Sequence, residues 1–426
     1  MREYLSLLLE QLADILQTLW ARLRGERDGN DPEPIYALPR PRHEESLTIP
    51  VCEDSADAAA LHEAQTRGQF LARQERWDDL IAEIRAADST RAATPGGAPI
   101  AELLAFGARS DVVLAAEHAL QDGKPATDAP LLTGVKALET VRREGPDDPY
   151  MSLIVALAHL DIGWAWRGTG WDASLPQLNR NRCIAHFDRA RDLLAPFDGV
   201  DLDSPLIASA QCALLAGRRD ARTRVVGDYE ALIDLDPQNP RHMRTLGYHL
   251  LPRWFGSYGE LELQARRTAS RTQDIWGSGG YTWVCFDAIG IDEEACARVD
   301  VDFFIEGMKD IATARPEQEM INLLAAYCAV VIRQGLGAST EADFARLQIA
   351  ECAYWLVREH LTEVHPMVWA HAMDGFDNNI RVSSVNRFAA RGRRSALQAI
   401  GDLFRDEIAQ GCHVTFTAEG PRLDTV

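Results

Sequence analysis

From Arg224 to Ala269 the apolar residues fall at helical spacing in three consecutive segments. Val225, Tyr229, Leu232 and Ile233 recur at i, i+4, i+7 and i+8, one stripe of an amphipathic helix that must be buried against something. Asp236-Pro237 stops it. Asn239 is the expected N-cap of the next helix and Pro240 suits its first position, where the missing N–H would have had no partner. Met243, Leu246, Gly247, Leu250 and Leu251 make the second stripe, which Pro252 ends. After Gly256-Ser257-Tyr258-Gly259, the residues Leu261, Ala265, Thr268 and Ala269 begin a third helix. None of these short rods can hide its stripe alone, so the pattern predicts stacked antiparallel pairs, the unit of an α-solenoid.

Periodicity and breakers extend the expectation along the chain. Helices are predicted at 57–74, 76–88, 99–106, 110–121, 131–143, 149–166, 180–195 and 205–217, with Pro95-Gly96-Gly97, Asp122-Gly123 and Gly168-Thr169-Gly170 as breaks. Beyond Thr272, Trp276 to Tyr281 reads as a loop and 282–288 as a helix. More helices are expected near 299–313, 316–334, 340–361 and 384–410. The third of these, rich in apolar positions (Phe344, Leu347, Ile349, Cys352, Trp355, Leu356), reads as a buried central helix. Cys412 to Ala418 alternates like one strand, although a lone strand is more often an irregular tail. At the other end, 1–24 is an amphipathic helix without the cleavage site of a secretory leader. It suits capping the array, pairing with a partner helix or lying on a membrane surface. Residues 25–54, Pro-rich and charged, are expected to be an extended linker. The predicted fold is therefore all-α, with repeats over 55–271 and a C-terminal helical region over 272–426.

The D-L-D-P exit, the Leu246-Gly247 pair and the later Gly256 and Tyr258 resemble the tetratricopeptide signature. In that family the small residue implies close approach of two helices and the aromatic fills the gap between them. Gly68, Trp77, Leu80, Ile84 and Ala87 form a second partial copy, and Pro205 to Pro240 spans close to one tetratricopeptide period. The W-A-W-R-G-T-G-W run at 164–171 and L-P-R-W-F-G-S-Y at 251–258 resemble bacterial tetratricopeptide-like domains of unknown function. The resemblance implies a binding scaffold and leaves the task itself open.

Charge narrows the partners. Lys plus Arg number 44 against 64 Asp plus Glu, a formal net charge of -20, which disfavours nucleic acid and favours a basic protein. Eight cysteines lie singly, with no C-x-x-C, as expected for small buried hydrophobes in a reducing, cytoplasmic setting. No apolar run is long enough to span a membrane.

Candidate chemistry is sparse. His360, His365 and His371, near Glu359, Glu363 and Asp374, do not match the two-histidines-one-turn-apart metal pattern, so no metal or cofactor is expected. Asp172 and Asp287 are the conceivable carboxylates of a glycoside-acting enzyme between the repeats and the C-terminal region. Arg381, Arg387, Arg391, Arg393 and Arg394 form a local basic run, expected as a solvated helix face. The leading expectation is a non-catalytic scaffold that grips a protein or peptide through Trp164, Trp166, Arg167, Trp171, Tyr248, Arg253, Trp254 and Tyr258. Its rivals are the enzyme and an immunity-like binder of a basic toxin.

Overall fold

A computed structural model describes residues 46–121, 129–145, 147–168, 175–337, 339–375 and 384–425. The expected N-terminal helix, the linker up to residue 45, Trp171, Asp172 and Arg381 lie outside them. Among the described residues the chain is predominantly helical, with 19 α-helices and one three-stranded sheet. Every helix predicted for 205–271 forms, and α8 (Ala221–Leu235), α9 (Pro240–His249) and α10 (Tyr258–Arg271) follow the stripes closely. The cap expected for α9 is present, and α10 adds one at Ser257. Asn239 accepts from the Arg241 N–H at 3.1 Å ahead of Pro240. Ser257 accepts from the Glu260 N–H at 3.3 Å while its hydroxyl donates to the Glu260 carboxylate at 2.7 Å.

The N-terminal part runs through α1 (Ala56–Arg73), α2 (Trp77–Ser89), α3 (Ile100–Gln121), α4 (Ala129–Glu144), α5 (Pro149–Arg167), α6 (Gln177–Leu194) and α7 (Pro205–Ala213). The expected break near 107 is absent, and one helix runs from Ile100 to Gln121. Gly107 is not a stop but a crossing point: a Cβ there would meet the Gln65 carbonyl at 2.0 Å, and one at Gly68 would meet the Leu104 carbonyl at 2.1 Å. The two glycines let α1 and α3 touch backbone to backbone.

Past α10 the chain forms α11 (Gln273–Trp276), α12 (Gly279–Ile291), α13 (Glu293–Arg298), α14 (Val301–Ala314), α15 (Gln318–Ala326), α16 (Thr340–Trp355), α17 (Pro366–Asp374), α18 (Val385–Leu403) and α19 (Arg405–Ala409). The loop expected over 276–281 shrinks to Gly277 and Ser278. The helices expected to reach 334 and 361 both relax into π-helical turns, Tyr327–Val331 and Leu356–His360. Helix α16 is not central. Ile349, Cys352 and Leu356 are buried, but Phe344 is 67% exposed and Leu347 and Tyr354 are also exposed.

The lone strand is corrected too. Strand β2 (Cys412–Thr417) pairs antiparallel with β3 (Gly420–Thr425) and parallel with β1 (Leu47–Thr48). Its alternation is real, since Val414 and Phe416 are buried and Phe404 meets Phe416 edge-on at 5.9 Å. Residues 47–52, expected at the end of a linker, are stitched to the C-terminal region. Beyond β1, Val51 bridges to Val364.

Two apolar clusters make the interior. One gathers buried residues from Leu71 to Leu214; the other gathers Leu47, Ile49 and residues from Ala208 to Phe416. They share α7, which gives Leu206, Ile207 and Ala210 to the first and Ala208 and Cys212 to the second. The seam between the two clusters therefore falls at α7.

At Gly247 a Cβ would lie 1.7 Å from the Val284 carbonyl of α12, whereas at Gly227 it would meet nothing within 4 Å. Gly247→Ala is expected to destabilise the protein by about 3 kcal/mol, because backbone must move. Gly227→Ala, in the middle of α8, should stabilise it by up to about 1 kcal/mol. Chemical denaturation of both variants checks the pair.

Candidate functional site

A hollow of about 660 Å3 is lined by several charged side chains, among them Arg191, Asp198, Arg218, Arg224 and Asp228; two smaller ones compete for function, and their chemistry separates them. The first, about 360 Å3, lies at the seam against α2, α7 and the α8–α9 turn, and is lined by Asp88, Arg91, Asp236, His242 and Arg315 among others. Its ionic groups are bound to the protein itself. The Asp88 carboxylate accepts from the Ser204 hydroxyl, the Tyr150 hydroxyl (3.0 Å) and the Leu206 N–H (3.0 Å). Arg91 pairs with Asp203 and also donates to the Leu235 carbonyl at 3.4 Å. His242 lies 3.4 Å from Asp236, and Arg315 donates to the Pro95 carbonyl at 3.2 Å. Two of these contacts, Arg91 to the Leu235 carbonyl and Arg315 to the Pro95 carbonyl, cross the seam.

The second hollow, about 210 Å3, is lined by Trp164 and Arg167 from the end of α5, by Arg180, Cys183, Ile184 and Phe187 from α6, by Ala216 and Gly217, and by Trp254. It unites three of the eight side chains singled out by sequence. Trp164, 37% exposed, meets Phe187 edge-on at 5.4 Å, and the Arg167 guanidinium sits 5.7 Å from the Trp164 ring. Trp254 stands in an aromatic group with Tyr248 (5.6 Å), His249 (5.7 Å) and Phe255 (5.8 Å), and Arg253 covers the Tyr248 ring at 5.0 Å. The Trp254 Nε1–H is buried without a hydrogen-bond partner among the described residues.

The other expected residues separate from this group. Trp166 points into the core at 2% exposure, so it anchors α5 and is not a contact surface. Tyr258 lies at the start of α10 under the Arg298 guanidinium, 5.3 Å away. Sequence reasoning missed Ile184, which is 52% exposed, and Leu178, also exposed. Both sit off the buried stripe of α6 formed by His186, Phe187, Ala190, Leu193 and Leu194, and that displacement is the signal a helical projection would have given.

The remaining candidates disperse. Asp287 is clasped by Arg244 through two bonds of 2.8 and 2.7 Å, leaving it committed to an ion pair. His360 lies 5.5 Å from Trp355 and His371 4.9 Å from Phe388, while His365 meets Glu363. Within the basic run, Arg391 pairs with Asp374 and Arg393 lies 3.7 Å from Glu53.

No protein-family model matches the chain, and neither a curated protein nor a solved structure matches it significantly. No described helix is long and apolar enough to cross a membrane.

Next to Phe187 in sequence, His186 belongs to a buried polar chain between α5 and α6. His186 and His159 share a hydrogen bond between their Nδ1 atoms at 2.8 Å, and the His159 Nε2 lies 3.1 Å from Glu139, which Arg189 also holds at 2.8 Å. A carboxylate only accepts, so His159 donates through Nε2 and His186 donates to the His159 Nδ1. Burial keeps both rings neutral; it lowers His159 and pushes His186 down to about 4, where the neighbouring His159 adds to the effect. Burial likewise holds His249, whose Nδ1 shares a hydrogen bond of 2.9 Å with the Tyr229 hydroxyl, at about 4. A histidine lowered in the fold stabilises fully above its unfolded value and loses that contribution as pH falls. Stability should therefore drop between about pH 6.5 and 4, by about 3 kcal/mol from His186 alone. Denaturation across this range should show His186→Leu with a shallower decline than the wild type.

Proposed function

We propose that this chain is a non-catalytic helical scaffold that binds another protein, with the second hollow as its grip. The observation that carries the reading is the meeting of half-exposed apolar side chains, Trp164 and Ile184, around a concavity floored by Phe187 and walled by Trp254. Concave sites with a few aromatic anchors concentrate binding energy, and an apolar side chain of a partner would displace water from all four surfaces at once. Arg167 and Arg180 line the same hollow. The segment that fits is thus an aliphatic or aromatic residue flanked by a carboxylate, even though the whole chain is acidic.

The tetratricopeptide-like solenoid belongs to the same proposal. Its support is that Pro205 and Pro240 each open a helix behind a side-chain cap, Ser204 and Asn239, one expected period apart. A cytoplasmic setting is likewise proposed, on the burial of Cys212, Cys285, Cys296, Cys328 and Cys352 as thiols in the core.

A photo-reactive phenylalanine at position 184, introduced in the native cell, should form a discrete protein adduct, and one at exposed Arg222 should not. Trp164→Ala should remove the adduct, weakening binding by about 2 kcal/mol or more, while the protein keeps its unfolding midpoint. Equal labelling at both positions, or an adduct indifferent to Trp164, would show that the hollow is not the grip.

A further inference from the structure

The cluster formed where residues 50–52 meet the segment before α17 is independent of the binding hollow. Val51 pairs in parallel with Val364, the Cys52 N–H donates to the Val364 carbonyl at 2.8 Å, and the Val364 N–H donates to the Pro50 carbonyl at 2.9 Å. In extended backbone, neighbours of one residue share the opposite face. Val364 is fully buried, so Glu363 and His365 lie together on the other side, and the pairing brings Cys52 to them. The ligand atoms of Cys52, Glu363 and His365 all lie within 4.8 Å of one another.

The backbone beneath the cluster is fixed from α15. Asn322, fully buried, accepts from the His365 N–H at 3.0 Å and donates to the Glu363 carbonyl at 3.0 Å. Gln318 accepts from the Thr362 N–H at 2.9 Å. The imidazole itself is held between two carboxylates, with Nε2 3.0 Å from Glu363 and Nδ1 3.8 Å from Glu319.

We propose that Cys52, Glu363 and His365 bind a divalent transition-metal ion of the zinc class, with water in the fourth position. One sulfur, one nitrogen and one oxygen donor suit a borderline-soft tetrahedral ion and not calcium or magnesium, which take oxygen. Zinc bonds of about 2.0–2.3 Å place ligand atoms roughly 3.3–3.7 Å apart, so side-chain rotation within the present cluster suffices. With Nε2 on the metal, Nδ1–H donates to Glu319, the carboxylate–histidine arrangement that orients metal-bound imidazoles. The acidic groups Glu363, Glu319 and Asp54 surround the Cys52 thiol, a negative local field that a dication offsets. Bound there, the ion would fasten residues 47–52 to α15 and α17, a cross-link between segments some 300 residues apart in sequence.

The test uses the full chain, stripped with chelator and titrated with Zn2+ against a chromophoric competitor. Wild type should take up one equivalent tightly and unfold at a higher temperature when loaded. Co2+ should give a thiolate-to-metal charge-transfer band. Cys52→Ser, at a half-buried position, should lose the band and weaken binding about 100-fold, and Glu363→Gln about 10-fold or more, while Cys412→Ser behaves as wild type. No stoichiometric uptake by wild type, or uptake and absorption unchanged in Cys52→Ser, overturns the proposal.

Discussion

The buried carboxylate of Asp88 holds the joint on which the described structure turns. Helix α7 serves both apolar clusters, and its first turn is fixed by this one side chain, which accepts the Ser204 cap hydroxyl and the Leu206 N–H while binding Tyr150 of α5. Burial pushes Asp88 above the usual carboxylate range, against these donors and Arg91, which pull it down. The ionised group is thus an expensive one to bury, and its retention follows from what its loss would leave: buried donors with no acceptor. Around it, Arg91, Arg241 and Arg315 each reach across the seam, to the Leu235 carbonyl, Glu102 and the Pro95 carbonyl. The hollow at the seam follows from this polar joint, since its walls are contacts already made.

Sequence periodicity was a reliable guide wherever a helix has one buried stripe and a visible stop. Helices α8 to α10 show this: each end carries a cap, a proline or a turn whose local chemistry acts regardless of what the helix packs against. It failed where glycine has a tertiary purpose. The pattern leaves a gap between helices at 106 and 110, yet Gly107 within it is the site at which α3 approaches the Gln65 carbonyl. It failed again at β2, because a strand is stabilised by its partner, and one partner is the two-residue β1 more than 360 positions away. Nothing local to Cys412–Thr417 announces Leu47.

The candidate sites obey the same division. Trp164 and Trp254 were visible as aromatics, but only the fold separates them from Trp166, two positions from Trp164 and turned inward. Ile184 carried a readable signal in its displacement from the α6 stripe. Cys52 carried none, since its companions are reached through a backbone pairing between distant segments, and a cysteine alone carries no ligand pattern.

The net charge of -20 argues for basic partners, yet the apolar hollow is lined by arginines. The two statements act at different ranges. Summed charge steers encounters over distances that salt limits to about 8 Å under physiological conditions, whereas a guanidinium beside an aromatic wall acts on contact. An acidic-flanked segment would therefore gain nothing from steering and most from the final desolvated fit, which places selectivity in how long a complex lasts more than in how fast it forms. The same α5–α6 pair carries the buried His159–His186 bond, and because burial lowers both rings the pair that frames the hollow loses stability as pH falls, which sets the fit against acidity.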